Sequence, residues 1–183
     1  MGMTDTYFTW AKEAGFTAAS PLNMAALRAQ DAVRAMCASD RCHAYGKNWT
    51  CPPVCGTLAE CAARMAQYTA GILLQTEGPL EDEFDFESMQ ALEQAHLASL
   101  HRFAARLREA EPDALILGSG GCRVCKTCAY PDPCRFPQKA CSSMEAYGLV
   151  VSEVCRESGV PYYYGKNTLC YSACCLVGKK AGI

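Results

Sequence analysis

The chain has no basic N-terminal stretch followed by an apolar run; Met1-Gly2-Met3-Thr4-Asp5 does not read as a secretory signal. No apolar segment approaches the ~18 residues that a membrane span needs. Charge of one sign is not in excess either. Lys and Arg number 17, Asp and Glu 19, for a formal net charge of −2. A strongly basic nucleic-acid binder is thereby disfavoured, although a local basic patch is not. There is no phosphate-binding loop, because Gly118–Gly121 is not followed by a helix opening on Lys-Ser/Thr. No flavin or nucleotide motif, no Ser-His-Asp set and no paired carboxylates stand out. These absences predict a cytoplasmic chain with neither a membrane nor a nucleic-acid partner, and they favour a carrier over an enzyme.

What the chain has in plenty is cysteine: 14 in 183 residues, roughly 8%, which approaches the range that marks special sulfur chemistry. Seven disulfides would suit a small secreted scaffold, but a reducing compartment keeps thiols open, and clustered cysteines there hold metal. The thiols are clustered. Cys37, Cys42, Cys51, Cys55 and Cys61 form one group, and Cys122, Cys125, Cys128, Cys134 and Cys141 a second. Residues 62–121 contain none. Cys155 stands alone, and Cys170, Cys174 and Cys175 lie near the C-terminus.

Length and pattern predict a single domain over 1–183, of α/β or α+β class, with a mixed sheet of about four strands and packed helices. Two cysteine-rich loops, 37–61 and 118–141, are set into it. Helices are expected at 7–14 and 22–36, the second capped by Ser20 with Pro21 in its first turn. Thr57-Leu-Ala-Glu60 fits a capping box and opens a helix to about Tyr68. Residues 71–76 read as a buried strand. Met89, Leu92, His96, Leu100, Phe103 and Leu107 recur at three- and four-residue steps and predict a helix over 87–109, with His96 a packed core residue rather than a ligand. A strand follows at 114–117. Ser142-Ser-Met-Glu145 suggests a second capping box and a helix to about Ser158, ended by Gly159, with Glu145 a capping carboxylate in preference to a proton donor. Residues 160–164 and 169–177 read as a hairpin turning at Gly165-Lys166-Asn167.

The second loop carries the most specific signal. Cys122, Cys125 and Cys128 form C-x2-C-x2-C, a spacing that wraps three corners of an iron–sulfur cubane, as in bacterial ferredoxins. Zinc sites more often use separate C-x2-C pairs. The fourth thiol, Cys134, comes after five residues rather than three and is followed by Arg135-Phe136-Pro137; Cys141 is its alternative. The backbone N–H groups of Gly118–Gly121 are suited to approach an anionic centre. Arg123, Lys126, Arg135 and Lys139 lie in or just after the loop. They read first as ordinary surface cations, and second as groups that raise a potential or dock an acidic partner. The first loop gives C-x4-C-x8-C-x3-C, which matches no common zinc-finger pattern and not the C-x3-C-x2-C radical type. A second cubane on Cys37, Cys42, Cys51 and Cys55 is expected, with Cys61 as substitute for the last. His43 is either a ligand in a Cys3His zinc site or a hydrogen-bonding neighbour. Tyr45 and Trp49 are expected to shield this site from water.

The combination Cys-x4-Cys-x2-Tyr-Gly-Lys-x-Trp-x-Cys-Pro-Pro (37–53), Leu-Gly-x-Gly-x-Cys-x2-Cys-x2-Cys (117–128), Cys-Arg-x-Pro (134–137) and Ser-Met-Glu-Ala-Tyr-Gly (143–148) resembles an uncharacterised family of predicted metal-binding proteins. The resemblance runs from about residue 7 to 178. It implies cysteine-bound metal, with iron–sulfur the favoured form, in a prokaryotic and often anaerobic setting. The matching positions are Cys37, Cys42, Cys51, Cys122, Cys125, Cys128 and Cys134. Cys55, Cys170, Cys174 and Cys175 fall outside the motif. Packing is the first expectation for Cys155 and for the last three, which alternate between strand faces. The functional expectation is an iron–sulfur protein with two [4Fe–4S]-type clusters that passes electrons to a redox partner protein. The alternatives are a zinc-clipped structural or interaction module, and an enzyme whose cluster has an open site.

Overall fold

The computed structural model describes residues 3–180. Its spine is a pair of twelve-residue antiparallel strands, β2 (Tyr68–Pro79) and β5 (Thr168–Lys179), in register Leu73↔Cys174. β1 (Ala18–Pro21) adds outside β2, and β3 (Leu115–Gly118) outside β5, both antiparallel. β4 (Ser142–Ser143) pairs parallel to β3, which makes the open five-stranded sheet, β1-β2-β5-β3-β4, a mixed one.

Strand alternation divides the core into two layers. Ile72, Leu74, Ile116, Ala173 and Cys175 face α1 (Met3–Ala14) and α4 (Phe86–Ala110). Leu73, Leu117, Cys174 and Leu176 face the other way. There they meet α3 (Leu58–Met65), α5 (Val151–Glu157) and a 3-10 turn at Glu145–Tyr147. Cys155, Cys174 and Cys175 are fully buried packing residues, as their positions predict, while Cys170 is half-buried. His96 is buried on the α4 stripe with Nδ1 2.9 Å from Thr76 Oγ1. Among the described residues no helix is long and apolar enough to cross a membrane.

Three expected elements are different. Residues 22–36 are not one helix. Leu22 N–H donates to Gly71 O at 2.9 Å, so the chain continues along the sheet edge past Ser20 and Pro21, and α2 begins only at Asp31 and runs to Ala38. Gly71 permits this approach, since a Cβ there would stand 2.7 Å from Leu22 Cδ2. The helix from 142 to 158 is broken as well. Ser142–Ser143 pair with β3, and Ser143 Oγ accepts from Ala146 N–H at 3.0 Å. Gly148, at φ +76°, then stops the 3-10 turn, and α5 starts at Val151. Finally, 160–164 is no strand and makes no hairpin with β5. Pro161 has no N–H for a ladder. Its carbonyl instead accepts from Gln75 Nε2 at 2.8 Å, and Tyr164 O–H donates to Gln75 Oε1 at 2.7 Å.

Candidate metal centre

Each cysteine loop is anchored at both ends by regular structure. The first leaves the C-terminus of α2, which packs on the 3-10 turn: Gln30 N–H donates to Gly148 O at 2.8 Å, and Cys37 Sγ lies 3.9 Å from Glu145 O. It re-enters at α3, where the expected capping box forms, Glu60 N–H reaching Thr57 Oγ1 at 3.2 Å and Thr57 N–H reaching Glu60 Oε2 at 2.7 Å. The second loop leaves β3 and returns at β4, adjacent strands of one sheet edge.

In the second loop Cys122, Cys125, Cys128 and Cys134 line one hollow, together with Trp49 and Phe136. Its free space is only about 20 Å³, so the four thiols close over room for about one water, and a larger guest requires the loop to give way. Few backbone bonds hold residues 121–134 beyond the turn at 130–131. The loop therefore has little of its own to hold its shape. Cys122 is pushed up by burial, while N–H groups of Val124 and Cys141 act against this. Cys141 itself stands apart from the hollow. It packs at the fringe of the α1/α4 core beside Gly118, and burial raises it to about 11.

Cys37, Cys42 and Cys51 line the hollow of the first loop, the first hollow, of about 160 Å³, shared with Gly120, Gly121 and Glu145; that of the second loop is the second hollow. Burial raises Cys37, and raises Cys51 to about 11. The two hollows adjoin. A Cβ on Gly121 would lie 4.0 Å from Cys51 Sγ, and the charge of Cys122 bears on Cys51. Trp49 ties the loops together. Its Nε1–H donates to Asp132 O at 2.8 Å, and its ring stands edge-on to Tyr130 at 5.1 Å. It thus shields the second hollow, whereas the sequence suggested the first; Tyr45 does line the first.

Cys55 is placed elsewhere. It is buried with Cys61 beside Arg34, whose Nη2 lies 3.9 Å from Cys55 Sγ and 3.2 Å from Cys61 Sγ and donates to Gly56 O at 2.9 Å. The Cys55 thiol donates to Ala146 O at 3.9 Å and the Cys61 thiol to Cys55 O at 4.0 Å; the side-chain contact between the two raises Cys55 and, with Arg34 and Arg64 assisting, lowers Cys61. His43 is exposed in a turn closed by its N–H on Asp40 O, 3.0 Å, and does not line the hollow. Among the cations of the second loop, Arg123 pairs with Glu93 at 3.0 Å, Arg135 reaches Thr127 O at 3.4 Å, and Lys139 lies over Phe136. Among the described residues, no three His, Cys, Asp or Glu side chains converge closely enough to hold a single metal ion. The thiols ring hollows instead of meeting at a point.

Two residues of this region were not legible from sequence. Glu145 is no helix cap. It sits in the 3-10 turn, and its Oε2 is buried without a hydrogen-bond partner. Arg34 carried no signal, because its contacts lie 21 and 27 residues along the chain.

An open mixed α/β sheet carrying two adjoining thiol-lined loops defines a cysteine-rich protein of metal-binding type. The chain belongs to the predicted metal-binding protein family DUF2284, whose model matches residues 20–177. No curated protein and no solved structure matches it.

Proposed function

We propose that the protein is an iron–sulfur electron carrier with two adjoining centres, one per loop, which serves a redox partner protein. The observation that carries this reading is the grouping of Cys122, Cys125, Cys128 and Cys134 around one hollow, next to Cys37, Cys42 and Cys51 around another. The donor set suits such centres. Soft thiolates select iron–sulfur cores or zinc; the first loop's hollow of about 160 Å³ has room for more than one atom, while the second loop's has to open to admit a core. When bound, such a core supplies reversible one-electron chemistry.

The chain's own groups set the surroundings. Val124 and Cys141 N–H groups point at the Cys122 sulfur and favour its anionic form. Gly120 and Gly121 bring bare backbone up to the first hollow. Trp49 lines the second, with Tyr130 edge-on to its ring. Contact of the two hollows through Gly121 gives an electron a short path between them. Redox titration tests this. Anaerobically isolated protein should take up about two electrons per chain from dithionite, with bleaching near ~400 nm. A chain that takes up none is not an electron carrier.

A further inference from the structure

We propose that Glu145 supplies the fourth protein ligand of the first centre and that Cys55 does not ligate it. The inference rests on reading the first loop as an iron–sulfur site. A cubane offers four iron corners, and the hollow of the first loop presents three thiols, Cys37, Cys42 and Cys51. Cys55, the fourth cysteine by spacing, does not line that hollow; its thiol donates to Ala146 O at 3.9 Å and lies 3.9 Å from Arg34 Nη2, which also reaches Cys61 Sγ at 3.2 Å. Rotating it away would leave the Arg34 guanidinium, whose Nε already lacks a partner, with one fewer acceptor in a buried place.

The carboxylate of Glu145 meets the need that Cys55 leaves. It lines the same hollow as the three thiols, and its Oε2 is buried and unpartnered. A buried carboxylate oxygen with no donor is costly to fold around unless something binds it. The other oxygen donors of that wall are less suited. Ser143 Oγ already accepts from Ala146 N–H at 3.0 Å, and Tyr45 brings a phenol rather than an anion. Backbone packing places the residue at this wall: the 3-10 turn that carries it is held to α2 by Gln30 N–H on Gly148 O, 2.8 Å. Glu145 also borders a wider, open hollow of about 660 Å³ lined by Val33, Met36, Arg41 and Cys42. Cys37 and Cys42 border the same hollow, so the centre opens outward on the side of these three residues. A hard oxygen ligand on the fourth corner, against four thiolates at the second centre, makes the two centres chemically unlike.

The test is iron analysis with electron paramagnetic resonance on anaerobically isolated Cys51→Ser, Cys55→Ser and Glu145→Gln. Cys51→Ser should lose the first centre. Cys55→Ser should keep all its iron and an unchanged spectrum. Glu145→Gln should lose about one iron per chain from the first centre, leaving a three-iron core that is paramagnetic when oxidised. The signal of the second centre reports in each variant that the chain is folded. Loss of the first centre from Cys55→Ser, or full iron and an unaltered spectrum in Glu145→Gln, overturns the assignment of Glu145 alone. Wild-type protein without iron overturns the reading beneath it.

Discussion

Replacing Cys128 by Ser is expected to remove about half of the bound iron and labile sulfide, together with one of two spectroscopic signals. The serine hydroxyl is a poor substitute for a thiolate, and Cys128 is one of four thiols around the second hollow. The first centre should persist, because its three thiols approach from α2 and the Cys51 turn on the far side of Gly121. The same substitution should loosen the loop. Few backbone bonds hold residues 121–134 beyond the turn at 130–131 and the Trp49 tie to Asp132, so on the proposed function metal would be a main clamp of the loop. Limited proteolysis should cut there first and spare β2 and β5. Retention of all iron would contradict the assignment of this loop.

The second large effect is on stability against pH. His96 is fully buried between the rings of Phe16 and Tyr171, and burial lowers it from 6.5 to about 4. The folded state disfavours its charged form, whereas the unfolded chain protonates it below 6.5. This contribution is therefore whole above pH 6.5 and is lost as pH falls towards the folded value. At about 1.36 kcal/mol per unit, the loss reaches roughly 3 kcal/mol at pH 4. Acid also attacks bound clusters, so the wild type should be compared with His96→Leu at each pH by denaturant unfolding. The stability difference between the two should shift against the wild type by about 2.5 kcal/mol between pH 7 and 4.5. A difference that does not change with pH would mean that His96 titrates in the fold as it does in the unfolded chain.

What could be read from the sequence was local. Thr57 and Glu60 cap α3 because the whole device lies within four residues. The stripe from His96 to Leu107 shows α4 because helical spacing repeats over several turns. The second loop's thiols gather as their spacing suggests, since short gaps limit where they can go. Misreadings came where a distant partner decides. Ser20 and Pro21 look like the start of a helix, yet the bond from Leu22 to Gly71 draws this segment onto the sheet edge. Ser142 looks like a cap until β3 takes it as a strand. Cys55 completes the first loop by spacing, but Arg34, from α2, and Cys61, from α3, take it away. Glu145 reads locally as a helix cap, because its burial depends on α2 folding over a turn more than a hundred residues downstream.

The central claim is that both cysteine loops enclose iron–sulfur centres. Metal and acid-labile sulfide analysis of protein isolated without oxygen tests it most directly. The expected result is a brown sample with about eight iron and eight sulfide per chain. A colourless sample containing zinc, with neither iron nor sulfide, would contradict it.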